Sequence, residues 1–130
     1  MGLDTSHDSW HGAYSAFHRW RERIAEASGH EKAFQTGQML IDAAEDVIDI
    51  ALGTWKKVPK DPILILLCHS DCDGFIAAEH TKILADRLEE LLPNLYGDGG
   101  GHIGGFREKT EQFIKGLRSA AEAKESVEFA

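Results

Sequence analysis

Cysteine is scarce in these 130 residues: only Cys68 and Cys72 are present, within the run Cys68-His69-Ser70-Asp71-Cys72. A bridge between two positions so close would close a tiny loop. A disulfide framework is therefore disfavoured, and reduced thiols in a cytoplasm are expected. Long apolar runs are also missing. Nothing approaches the ~18 residues of a membrane span, and the N-terminus lacks the basic-then-apolar layout of a signal peptide. The expectation is a cytoplasmic protein with no membrane partner. Proline is limited to three residues while 42% of the chain is hydrophobic, a globular composition and not a disordered one. Cations are outnumbered, 14 Lys+Arg against 22 Asp+Glu, for a formal net charge of −8. General nucleic-acid binding draws most of its energy from neutralised phosphates, so this balance argues against it. Domains typically run to ~100–200 residues, which makes 1–130 a single domain.

What is plentiful is histidine, seven residues, and glycine, thirteen. The apolar pattern that surrounds them sets out the architecture. Ala13, Phe17, Trp20, Ile24 and Ala27 recur in steps of four and three and predict a first helix from about residue 10, with Gly29 as its end. Residues 31–52 predict a second helix with Leu40, Ile41, Ala44, Val47, Ile48 and Ala51 on one face and Gly53 as the stop. After the proline-punctuated connector 56–62, the run Ile63-Leu64-Ile65-Leu66-Leu67 reads as a buried strand. A third helix covers about 76–92, ended by Pro93. A glycine-rich loop, 96–105, leads to a fourth helix over about 106–124, with Phe106, Phe113, Leu117 and Ala121 inward. Val127-Glu128-Phe129 alternates and is expected to pair with the first strand. The fold class expected is mostly α, about four helices with one or two short β-strands.

Four constellations carry chemistry. The first is His69-Ser70-Asp71-Cys72-Asp73-Gly74, between the apolar run and the third helix. It fails as an EF-hand, because His69 would occupy position one and His80 position twelve. Its His69-x-Asp71-x-Asp73-Gly74 pattern is similar, locally, to the metal-binding strand–loop–helix of the DHH phosphoesterases. The Asp-His-His triplet of that family is missing. Helix capping by the same aspartates is the competing role.

The second is the N-terminal polar-aromatic stretch. His11, Tyr14, His18 and Arg21 are spaced as one helical stripe, preceded by His7 and Trp10. Its imidazoles suit ligand hydrogen bonding and Trp10 or Tyr14 suits stacking on a ring; packing, capping and a zinc shared with Cys72 or Asp71 are the alternatives. The third is the Gly97–Gly105 loop with His102, opening onto a helix start near Arg107 and Lys109. Freed amides and nearby cations favour a phosphate there, although neither nucleotide-loop fingerprint is matched; a flexible linker is the bland account. The fourth is Asp42/Glu45/Asp46/Asp49, which resembles one magnesium-binding helix of the MazG-type pyrophosphatases but lacks the second half. A solvated acidic face is the simpler reading.

Phe17-His18-Arg19-Trp20-Arg21, the His69–Gly74 block, Leu84-Ala85-Asp86-Arg87-Leu88-Glu89-Glu90-Leu91 and the ending Phe113-Ile114-x-Gly116-Leu117 together resemble a family of small uncharacterised proteins of actinobacteria and their phages. The resemblance spans most of the chain and implies a bacterial or phage origin without importing an activity.

The leading expectation is a small ligand-binding protein for a phosphorylated or nucleotide-like metabolite, in the role of a phage-encoded sequestering factor and without catalytic residues. Trp10 and Tyr14 would stack. His11, His18, His69, Asp71 and His102 would hydrogen-bond, and Arg107 with Lys109 would hold the phosphate. This reading requires residues 7–18, 69–73 and 102–109 to converge, and a homo-oligomer with the site at its interface fits so small a domain. The rival is a metal-dependent hydrolase or phosphoesterase with His69, Asp71 and Asp73 as ligands of a divalent cation, His7 or His11 completing the site. A protein-interaction domain is the third reading, marked by an exposed apolar patch.

Overall fold

The computed structural model describes residues 2–43, 47–49, 54–55, 58–70, 74–95 and 105–130. The chain is mostly α, with small antiparallel strand pairs around a helical core. It opens with a β-hairpin, not a polar lead: β1 (Gly2–Thr5) pairs with β2 (Trp10–Ala13) in the register Leu3↔Gly12 and Thr5↔Trp10. His7 and Asp8, both at positive φ, turn the chain between them. Leu3 and Thr5 alternate inward along β1.

Helix α1 (Tyr14–Ser28) therefore starts four residues later than its apolar spacing suggests. It buries Phe17, Trp20 and Ile24 as expected. Gly29, at φ 85°, ends it: Gly29 N–H donates to the Glu26 carbonyl and His30 N–H to that of Ala25, a double closure that only a left-handed residue permits cheaply. The predicted second helix is broken. It forms α2 (Glu31–Thr36) and α3 (Gln38–Ala43), separated by Gly37 at φ 77°, and then strand β3 (Val47–Asp49), which pairs with β4 (Thr54–Trp55). Gly37 was a stop signal inside an otherwise continuous pattern.

Residues 63–67 are a turn of helix, α4 (Leu64–Leu67), and not a strand. Ile63, Ile65, Leu66 and Leu67 are all buried, so no polar face interrupts the run, and a fully buried helix turn reads the same as a buried strand. The signal for helix lay just upstream. Asp61-Pro62 is a start: the Asp61 carboxylate accepts from Ile63 N–H at 3.1 Å and its carbonyl from Leu64 N–H at 3.1 Å. Strand β5 (Phe75–Ile76) precedes α5 (Ala78–Leu91), and α6 (Phe106–Ala123) packs along α5. The tail pairs elsewhere than expected, β6 (Val127–Glu128) with β5 and Phe129 with Thr5, because the proposed partner at 63–67 is helical.

Trp10, Phe17, Trp20 and Phe113 interlock at the centre. Trp10 stacks on Trp20 with centroids 5.0 Å apart, and Trp20 meets Phe113 at 5.0 Å while its indole N–H donates to Thr110 Oγ1 at 2.9 Å. The hairpin is seated on α6 at Gly116. A Cβ there would stand 2.3 Å from Ser9 Cβ, so the close approach depends on glycine.

Candidate functional site

The closure of α1 delivers His30 to the head of α2, and the Asp61-Pro62 start delivers Asp61 to the same place. There Asp61 gathers donors from three segments. Its Oδ1 accepts from Arg87 Nε at 2.9 Å and Ile63 N–H at 3.1 Å; its Oδ2 is 3.2 Å from Arg87 Nη2 and 2.8 Å from His30 Nε2. The guanidinium grips the carboxylate with two parallel N–H bonds, the strongest arrangement available to this pair. Burial alone would raise the Asp61 carboxyl, but the bonds from Arg87, His30 and Ile63 outweigh it and hold it below the usual carboxylate range. The same partnership raises Arg87.

These residues line an open cleft of about 560 Å³ with Lys60, Pro62 and Leu64. Its electrostatics are unlike those of the chain as a whole. Lys60, Arg87 and His30 line it with a single carboxylate, Asp61, which four hydrogen bonds already occupy, and just outside the lining Glu90 Oε1 stands 3.5 Å from Arg87 Nη1. Lys60 is exposed, with no partner among the described residues. Two other clefts lean the opposite way. A groove of about 570 Å³ between α5 and α6 sets Glu89, Glu111 and Glu122 against Lys115 and Arg118, and Arg118 is committed to Asp86 and Glu89. A smaller one of about 200 Å³ sets Glu22, Glu26 and Glu31 against Arg19 and Arg23. Of these three clefts, the first is the one whose lining has more cationic side chains than carboxylates.

The residues singled out by sequence are arranged differently. Trp10 is 1% exposed and belongs to the core, so its ring is spent on Trp20 and Phe17 and is not presented to a ligand. His11 is exposed but bracketed: Nδ1 lies 2.7 Å from Asp4 Oδ1, and Nε2 is hydrogen-bonded to Asp8. Its hydrogen bonds to Asp4 and then Asp8 raise its pKa, and with a carboxylate at each ring nitrogen neither is left for a metal. Tyr14 is half-buried against the core. His18 is exposed, stacked on Phe34 and 3.5 Å from Glu22. His69 is buried, with Nδ1 2.8 Å from the Ser70 carbonyl and Nε2 3.0 Å from that of Phe75, and it stacks on Phe129. Backbone contacts thus occupy both ring nitrogens that a metal or ligand would need. Cys68 is equally inert: burial pushes its thiol up to about 11.

Convergence is partial. The start of α6 does reach β2, with Lys109 Nζ 3.5 Å from the His11 carbonyl and 5.0 Å from the centre of the Trp10 ring, while Gln112 donates to the Asp8 carbonyl at 2.9 Å. His69 is tied to that region through Phe129, which bridges to Thr5. Arg107 is exposed near the start of α6. Asp71, Cys72, Asp73 and His102, with most of the glycine loop, lie outside the described residues, as do Glu45 and Asp46; of the expected helical acidic stripe, Asp42 is in α3 and Asp49 in strand β3. Among the described residues no three His, Cys, Asp or Glu side chains stand close enough to hold one metal ion. Large exposed apolar side chains among them are Ile41 and Val58. No described helix is long and apolar enough to cross a membrane.

Sequence reasoning missed the His30–Asp61–Arg87 cluster because its members are 26 and 31 positions apart. The Asp61-Pro62 start was the one local signal. Comparison with protein-family models, with curated proteins and with solved structures finds no match.

Proposed function

We propose that the chain binds a small phosphorylated or nucleotide-like metabolite, with the phosphate held in the cleft of His30, Lys60 and Arg87. One observation carries this reading: in a chain of net charge −8, this cleft holds more cationic groups than carboxylates, and its single carboxylate is already saturated. Lys60 offers three N–H groups, while Arg87, which gives two to Asp61 and has Nη1 3.5 Å from Glu90, adds its charge beside them. Phosphate oxygens are the acceptors that match such a surplus. Pro62 and Leu64 add an apolar wall suited to a sugar or base edge. Sequestration of such a metabolite is the role this reading gives the chain, and it needs tight binding and no turnover.

A thermal-shift panel of orthophosphate, sugar phosphates, nucleotides and cyclic dinucleotides, each beside its unphosphorylated counterpart, tests it. Phosphorylated members are expected to raise Tm, since a ligand at a hundred times its Kd stabilises by about 2.7 kcal/mol. Lys60→Met is expected to abolish the response. Tm values that no phosphorylated compound moves would overturn the reading.

A further inference from the structure

The described histidines differ in what is left of each ring. His11 has both nitrogens engaged, by Asp4 and Asp8; so has His7, by Ser6 Oγ at 3.0 Å and Glu125 at 2.9 Å; so has His69, by two backbone carbonyls. His80 Nδ1 is buried beyond reach. His30 is different. Its Nε2 is fixed at 2.8 Å on Asp61, while Nδ1 has no partner among the described residues and is not among the buried unpaired atoms. A ring whose Nε2 proton is committed to a carboxylate presents its lone pair at Nδ1, which makes that nitrogen the nucleophile. The same cleft supplies Lys60 and Arg87 to neutralise phosphoryl oxygens. His18, exposed and loosely paired to Glu22, lines no such cleft and serves as an internal control.

From this juxtaposition of an Asp61-fixed imidazole with Lys60 and Arg87 in one cleft, we infer that His30 is a phosphoryl-acceptor site, modified at Nδ1 by small high-energy phosphoryl donors such as phosphoramidates or acyl phosphates. The inference rests on the cleft's being a phosphate site. In the reaction with phosphoramidate, the Nδ1 lone pair forms a bond to phosphorus as the donor's P–N bond breaks, and the electron pair leaves with ammonia. The Nε2 proton stays on the ring, where the Asp61 carboxylate offsets the positive charge created by the attack. Lys60 and Arg87 hold the phosphoryl oxygens throughout.

Incubation of the full chain with phosphoramidate, followed by intact-mass measurement and peptide mapping under alkaline conditions, tests this. The expected product carries one phosphoryl group, is acid-labile and maps to His30 in preference to His18. His30→Asn removes it. Lys60→Met, at an exposed position that leaves the fold untouched, slows labelling by at least about threefold, as loss of one charge-assisted contact requires. Labelling of His18 as fast as His30, or a Lys60→Met rate equal to wild type, would overturn the inference. If orthophosphate and nucleotides raise Tm but His30 is not labelled, the acceptor role fails while the binding reading stands; if neither occurs, both fail.

Discussion

At the scale of single residues, Asp61 is the pivot. Asp61→Asn keeps the shape but removes the charge that pairs with Arg87, in a site that is only partly buried, and a loss of about 1–3 kcal/mol in urea unfolding is expected. Its pH signature has a definite sign. The folded-state pKa lies below the unfolded one, so the stabilisation is complete above the unfolded value and disappears as pH falls through the folded one. In the Asn variant that acid dependence should be flattened. His11 works in the opposite direction, because Asp4 and Asp8 raise its pKa. What it contributes is complete below the ordinary histidine range and is lost as pH rises through the folded value. His11→Gln should therefore reduce the decline in stability between neutral and mildly alkaline pH, read as Tm against pH; an unchanged profile would show that the bracket contributes nothing. Neither pairing was visible in sequence. Helical spacing puts His11 on a polar stripe, but the strand β2 places it across from Asp4, a neighbour that such spacing does not provide.

At the scale of elements, α1 and α6 were legible because each is long and amphipathic with a glycine or left-handed residue at its end, Gly29 and Lys124. The short elements were not. An apolar run buried on every side carries no periodicity, which is how α4 passed for a strand, and Gly37 divides what looked like one helix. The hairpin went unseen because Trp10-His11-Gly12-Ala13 joins smoothly onto the helical spacing of Phe17 and Trp20. Its position is set by one close approach. Gly116→Ala pushes a methyl to within 2.3 Å of Ser9 Cβ, a distance no packed structure tolerates, so the hairpin must lift or α6 must shift. The expected cost is about 1–3 kcal/mol. Amide hydrogen exchange in β1 and β2 should accelerate in that variant more than exchange in α5. Wild-type protection of the hairpin in Gly116→Ala would contradict the seating described.

At the scale of the whole molecule, the surplus of acid is real but unevenly distributed. Two clefts carry more carboxylates than cations, and the third, at the meeting of α2, the 58–63 connector and α5, gathers His30, Lys60 and Arg87. Composition alone gives the total charge and not its placement, so the acidity of the chain was legible while the position of its cationic cleft was not. Trp10 and His69, the most chemically suggestive of the sequence candidates, are enclosed in the core, where one stacks and the other braces backbone carbonyls. The central claim is that the phosphate site lies in the Asp61 cleft. Titration of isotopically labelled protein with a phosphorylated ligand from the panel, followed by amide chemical shifts, tests it most directly. The account predicts that the largest saturable changes cluster at His30, Lys60, Asp61, Leu64 and Arg87 and vanish in Lys60→Met; changes concentrated instead at the β1–β2 hairpin and the start of α6, or none at all, would contradict it.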